Sequence, residues 1–180
     1  MREAPGAGAT GGVFRRVVGA RRRKGWGYPE TGMALFLSTH VNRVDKKGRV
    51  SVPAQFRSAV VGQAFPGIVA FRSFSLQVID AAGIDRMETY SAELDGLAEG
   101  SARYEEVRAM LADARQLAFD GEGRIVLPSD LAQFARITEA AAFVGQGRHF
   151  YICEPELARR MVEETLTRKH GARATQGRGA

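Results

Sequence analysis

Apolar and polar residues alternate over short stretches ahead of Asp45 and ahead of Asp120, the two-residue period of a half-buried strand. Each stretch runs into Asp-x-x-Gly, Asp45 to Gly48 and Asp120 to Gly123. Aspartate at the first position and glycine at the fourth suit a type I turn, with the glycine at positive φ as a bulge. Each glycine is followed by Arg-apolar-x-apolar-Pro, Arg49 to Pro53 and Arg124 to Pro128. That pattern predicts a second strand ended by a proline, and the proline also suits the first turn of a helix. Short helices are predicted over 54–60 and 129–136. Further strand pairs are predicted over 68–72 with 76–80 and over 141–145 with 149–153. Closing helices are predicted over 82–95 and 155–169. Between these blocks, Tyr104, Val107, Leu111 and Ala114 recur at three- and four-residue spacing, which predicts a helix over 102–114. Its Glu105, Glu106, Arg108 and Asp113 read as a solvated face.

The chain therefore repeats itself. Asp45–Pro53 recurs as Asp120–Pro128 at an offset of 75 residues, with identities at Asp, Gly, Arg and Pro. Leu76–Asp80 aligns with Phe150–Glu154 at an offset of 74, and Met87 and Met161 keep that second offset. The reading is a duplicated α+β unit with a helical connector between the copies. Four short strands cannot cover both faces of their own sheet. Two units packed together can close a small barrel and remove the exposed edges.

Charge changes the picture only once it is located. The chain carries a net +6, but residues 1–32 hold +5 and residues 168–180 hold +4, so the segment between nets −3. Any case for a nucleic-acid partner must rest on a local patch rather than on the whole-chain charge. Residues 1–32 are glycine-rich, basic and without hydrophobic periodicity, the composition of a disordered extension. Two readings of them stay open: a basic arm that touches DNA phosphates, or translated leader ahead of a natural start at Met33. Gly6-Ala7-Gly8-Ala9-Thr10-Gly11 spells a dinucleotide fingerprint, but no strand can form in the five residues before it. Arg15-Arg16 begins like a twin-arginine export signal, yet Arg21-Arg22-Arg23-Lys24 cuts the apolar stretch that should follow. The segment from Gly171 onward reads as a frayed polar tail.

A local patch does exist. Arg43, Lys46, Lys47, Arg49 and Arg57 stand against one acid, Asp45, within fifteen residues. A strand–turn–strand can present such residues on one face of a two-stranded ribbon, a shape that fits the major groove of DNA. Arg49 leaves a glycine bulge, so backbone geometry sets its direction, and its guanidinium can meet a guanine edge or a phosphate. Lys46 and Lys47, flexible point charges at the turn tip, suit phosphates better than bases. The alternative is that Asp45 with Arg49, and Asp120 with Arg124, pair only to hold their turns. Asp45, Gly48, Asp120 and Gly123 are read as structural turn residues. The second turn replaces the two lysines with Gly121-Glu122, so the first repeat is expected to carry the main DNA contact and Arg124 a lesser one.

The paired Asp-x-x-x-Arg motifs, each followed by apolar-x-apolar-Pro, resemble the MraZ family of bacterial transcriptional regulators, which carry two tandem SpoVT/AbrB-like domains. The resemblance covers about residues 33–170 and includes the connector and Phe143-Val144-Gly145-Gln146. It implies a duplicated AbrB-like swapped-hairpin β-barrel with flanking helices. The domains then run 37–84 and 115–158, joined by a connector over 85–114 and followed by a C-terminal helix and tail over 159–180. It further implies a ring-shaped homo-oligomer, with an octamer expected. That ring would bind direct repeats in the double-stranded promoter DNA of its own division and cell-wall operon, usually as a repressor. Cytoplasmic, nucleoid-associated placement follows. In such a ring, weak contacts repeated around one face add through effective concentration.

Other functions are weaker readings. His40, His149 and His170 are too far apart in sequence for an HExxH-type metal site. Cys153, the single cysteine, sits in an alternating stretch and reads as a buried small hydrophobe. No phosphate loop and no serine elbow occur, so no catalysis, cofactor, metal or small-molecule substrate is expected. No apolar run is long enough to span a membrane. The alternative kept open is an antitoxin-like or purely structural ring protein acting through protein partners. Candidate subunit contacts are exposed apolar patches around the connector.

Overall fold

The computed structural model describes residues 35–176 of the chain. The expectations for residues 1–32, and for a natural start at Met33, lie outside the described residues. The elements run β1 (Thr39–Arg43), β2 (Arg49–Ser51), α1 (Ala54–Ala59), β3 (Gly67–Arg72), β4 (Ile79–Ala82), α2 (Ile84–Gly96) and α3 (Ala102–Asp113). They continue β5 (Arg115–Ala118), β6 (Arg124–Val126), α4 (Ser129–Phe134), β7 (Ala140–Gly145), β8 (Phe150–Cys153) and α5 (Pro155–Gln176). Every element predicted from the pattern is present.

The strands of the two repeats interleave rather than forming separate sheets. An antiparallel six-stranded sheet has the order β1-β7-β8-β4-β3-β5, and β2 pairs with β6 in a separate ribbon. β1 of the first repeat lies on β7 of the second, and β5 of the second lies on β3 of the first. The registers define how the repeats correspond. Val69 pairs with Ala82 where Ala142 pairs with Cys153, which places Ala82 and Cys153, 71 residues apart, in matching positions. The offset of 74 read from the sequence for this block is therefore corrected to 71. The cause is loop length: the links before β3 and before β4 are each two residues longer than those before β7 and β8. Met87 thus corresponds to Ala158, both buried, and not to Met161. The strand expected over 76–80 starts three residues later for the same reason.

The closed barrel is not formed. β1 and β5 remain the edges of an open sheet, and the hairpins reach the ribbon through little more than the Val44–Val50 bridge and the turn bonds. β2 and β6 are too short to complete a ladder. Each is confined between a positive-φ glycine and a proline that has no N–H to donate. The prolines also sit one position earlier than the expected first turn. Pro53 flanks α1 with extended backbone, and its carbonyl accepts the N–H groups of Phe56 and Arg57 at 2.9 and 3.0 Å.

The sheet is covered on both faces. Val50, Val52, Ile125 and Leu127 point from the ribbon onto Ile68, Ile79, Phe143 and Ile152, with Phe56 and Leu131 of the short helices between them. Phe36, Phe56, Phe143 and Phe150 meet there edge-on or tilted, with the Phe36 and Phe150 centroids 4.7 Å apart. Each such buried side chain contributes roughly 1.5–3 kcal/mol over leaving it exposed. On the other face, Met87 of α2 and Met110 of α3 cover Val69, Phe71 and Ala82, while α5 covers Ala142, Val144 and Cys153. Cys153 is fully buried, as its alternation predicts, and burial pushes its thiol up to about 11.

Two finer expectations change. Asp113 is not on a solvated face: it accepts the backbone N–H of Arg72 at 2.8 Å and pairs with its guanidinium. α5 runs through Gly171 to Gln176, because the residues beyond that glycine are not helix breakers. The large exposed hydrophobics among the described residues are Leu35, Leu37, Val41, Val61, Phe74, Leu76, Val126 and Val162. Phe74 lies beside Ala109 and Asp113 of α3, around the connector. No described helix is long and apolar enough to cross a membrane.

Candidate nucleic-acid interface

Each turn is built around its aspartate. Asp45 Oδ1 accepts the backbone N–H groups of Lys47 and Arg49, both at 2.9 Å, and Oδ2 accepts Arg49 Nε at 2.7 Å. Gly48 sits at φ +74° and donates its N–H to the Asp45 carbonyl. Asp120 repeats every contact: Glu122 and Arg124 N–H at 2.9 Å, Arg124 Nε at 2.8 Å, with Gly123 at φ +72°. The Arg49 N–H, then the Arg49 guanidinium, lowers the Asp45 carboxyl from 3.8 to about 2. The Arg124 N–H and guanidinium lower Asp120 in the same way. Both aspartates and both glycines sit in the two turns in the same geometry.

The turns flank one ribbon. Arg49 pairs with Val126 and Ser51 with Arg124, so these four residues share the outward face while Val50 and Ile125 point into the core. Arg49 and Arg124 are diagonal neighbours, about 7–8 Å apart in ordinary antiparallel geometry. Their side chains are 33% and 27% exposed, enough to present a guanidinium edge outward while the other edge holds the aspartate. Two crossed backbone bonds lock the ends: Leu127 N–H to the Gly48 carbonyl at 2.8 Å, and Val52 N–H to the Gly123 carbonyl at 3.1 Å. Each turn is thereby fastened by the other repeat. Arg43, Lys46 and Lys47 are exposed beside the first turn.

Electrostatics separates the two ends. The first turn carries Lys46 and Lys47. At the second, Glu122 approaches Arg124 Nη1 to 2.5 Å, so two carboxylates share that arginine. Arg57 does not join the first turn, where the sequence placed it. It reaches across from α1 and lies against Gly123 of the second. Proximity in sequence pointed to Asp45; the interleaved strands bring Arg57 to the other repeat's turn instead.

A further polar group escaped the sequence reading. Asp80 pairs with Tyr151 at the centre of the sheet, beside His149, Arg86 and Tyr90. Burial raises the Asp80 carboxyl to about 7, opposed by Arg86 and the Ala81 N–H. His149 Nε2 lies 3.9 Å away, and burial and then Arg86 push its pKa below 6.5, so at neutral pH this contact is not an ion pair. Among the described residues no group of three His, Cys, Asp or Glu side chains is placed to hold a metal ion.

Comparison with known proteins agrees with the paired motifs. A family model described as "MraZ protein, putative antitoxin-like" matches residues 110–177. The chain is 44% identical over 126 residues to the "Transcriptional regulator MraZ" of Pelagibacter ubique (strain HTCC1062), covering 67% of this chain and 79% of that one. It is 41% identical over 151 residues to the protein of that name from Rhodospirillum rubrum, covering 82% and 95%. With the Rickettsia akari (strain Hartford) protein of the same name it shares 38% over 144 residues, covering 79% and 97%. On this evidence the chain belongs to the MraZ family.

Proposed function

We propose that this chain is a sequence-specific DNA-binding transcriptional regulator, and not an enzyme. It represses its own division and cell-wall operon by binding direct repeats in the promoter. The observation that carries the reading is the ribbon: Arg49 and Arg124 on one exposed face, with Lys46 and Lys47 at one end. The relatives' name, transcriptional regulator, supports it. Arg49 is the leading base-edge or phosphate contact, and Arg43, Lys46 and Lys47 bind phosphates around it. Arg124, shared by two carboxylates, contributes less. Residues 37–84 and 115–158 act as two AbrB-like halves whose exchanged strands form one DNA-facing unit. Copies of that unit assemble into a ring, expected to be an octamer, associated with the nucleoid in the cytoplasm. The antitoxin-like alternative calls for an unstructured segment after the motif to wrap a partner; here that stretch begins as α5, capped by Glu154 through the N–H groups of Glu156 and Leu157.

The test is a gel-shift salt titration of the full chain on DNA from just upstream of its own coding region. It is run beside Arg49→Ala and an unrelated duplex. Retention specific to the upstream DNA, lost in Arg49→Ala, is expected. Each phosphate contact removed should flatten the log–log salt slope by about 0.9. Equal weak binding to both duplexes would remove the operator assignment.

A further inference from the structure

An open pocket of about 360 Å³ lies behind the second turn, between the α1–β3 loop and Phe119–Gly123. Its size is in the range that holds small organic ligands. Val60, Val61, Pro66 and Phe119 give it an apolar wall, and Arg57 lines it as well. Val61 is 81% exposed, an uncovered aliphatic side chain at the mouth. The Arg57 guanidinium is pressed against Gly123: a Cβ there would come within 1.9 Å of Nη1. Its Nε is sealed from water without a hydrogen-bond partner. Among the described residues no carboxylate forms an ion pair with it. The other charged wall residue, Asp120, is already occupied by Arg124 and two backbone N–H groups. The uncompensated charge facing the pocket is therefore Arg57's. The feature exists in one repeat only. The residue 75 positions after Arg57 is Ala132, and a Cβ on Gly48 would meet only the Leu127 carbonyl at 3.4 Å.

We propose that this pocket binds a small amphipathic anion, its carboxylate on the Arg57 guanidinium and its apolar body along Val60, Val61, Pro66 and Phe119. A guanidinium offers a planar fork to a carboxylate, and it does so more strongly where water is displaced. The apolar wall separates this ligand class from a bare phosphate, which has nothing to lay against it.

The experiment is an NMR titration of the full ¹⁵N-labelled chain with octanoate, 1-octanol and inorganic phosphate. Octanoate is expected to move the Gly62, Gly121 and Gly123 amides saturably. Octanol, lacking the charge, should bind about tenfold more weakly or worse, and Arg57→Gln should weaken octanoate by about the same factor. Val61→Glu, at an exposed position that cannot disturb the core, should abolish saturation by placing a like charge at the mouth. Equal affinity for octanoate and octanol would overturn the proposal, as would octanoate binding untouched by both variants. Phosphate saturating the same amides as tightly as octanoate would reduce the site to a simple anion site and overturn the ligand class. None of these readouts involves DNA, so they stand or fall apart from the promoter reading.

Discussion

Asp45 is an exposed carboxylate whose three hydrogen bonds fix the direction of Arg49. Its lowered pKa means the hold is complete above about pH 3.8 and is lost as pH falls through about 2. The turn therefore keeps its shape across the whole physiological range. The glycine beside it is the more sensitive residue. At φ +74° an L-side chain costs about 1–2 kcal/mol. At Gly48 the nearest obstacle to a Cβ is 3.4 Å away, so Gly48→Ala isolates that conformational cost. Thermal unfolding should show Tm lower by about 2–8 °C. An unchanged Tm would mean that the turn is not held in the left-handed region.

Among the elements, β4 carries the least comfortable residue. Asp80 points into the seam between helices on the outer face of the sheet, and burial raises its carboxyl from 3.8 to about 7. The folded chain holds that proton after the unfolded chain has lost it, so stability falls as pH rises from about 4 to about 7. Asp80→Asn removes the ionisation. Its Tm advantage should be clear at pH 8, worth a few kcal/mol at most, and should vanish near pH 4. A variant no more stable at pH 8 than at pH 4, relative to the parent, would contradict the burial account. The strand that bears Asp80 also marks where sequence reading stopped. Element types were legible because period and turn chemistry are local: Asp45, Gly48 and Pro53 announce a turn, a bulge and a helix without reference to the rest of the chain. Register was not. Leu76–Asp80 resembles Phe150–Glu154 in pattern, and only the pairing of Ala82 and Cys153 with their neighbours shows the shift. The same limit misplaced Arg57, whose partner surface is brought to it by strand exchange between repeats. Barrel closure failed for a comparable reason, since patterning foretells strands but not whether three residues suffice to close a ladder.

At the level of the whole molecule, neither repeat has its own sheet. β1 needs β7, β2 needs β6, and β4 needs β8. Residues 1–96 alone lose all three partners and expose Val50, Val52 and Phe56, which are fully buried in the intact chain. That fragment should show no cooperative thermal transition by circular dichroism, whereas the full chain should show one. A cooperative melt of the fragment would mean that the repeats are independent domains.

The crossed bonds that fasten each turn to the opposite repeat have one more consequence. Two identical chains meeting in this way would carry the same turn at both ends of their shared ribbon, and the ribbon would look alike from either end. Joined in one polypeptide, the ends are free to differ, and they do: a pair of lysines on one, Gly121-Glu122 and a borrowed arginine on the other. The ribbon therefore has a head and a tail. A surface with a head and a tail shares no two-fold axis with a palindrome. On the proposed DNA-facing reading, its two orientations along a duplex would not be equivalent.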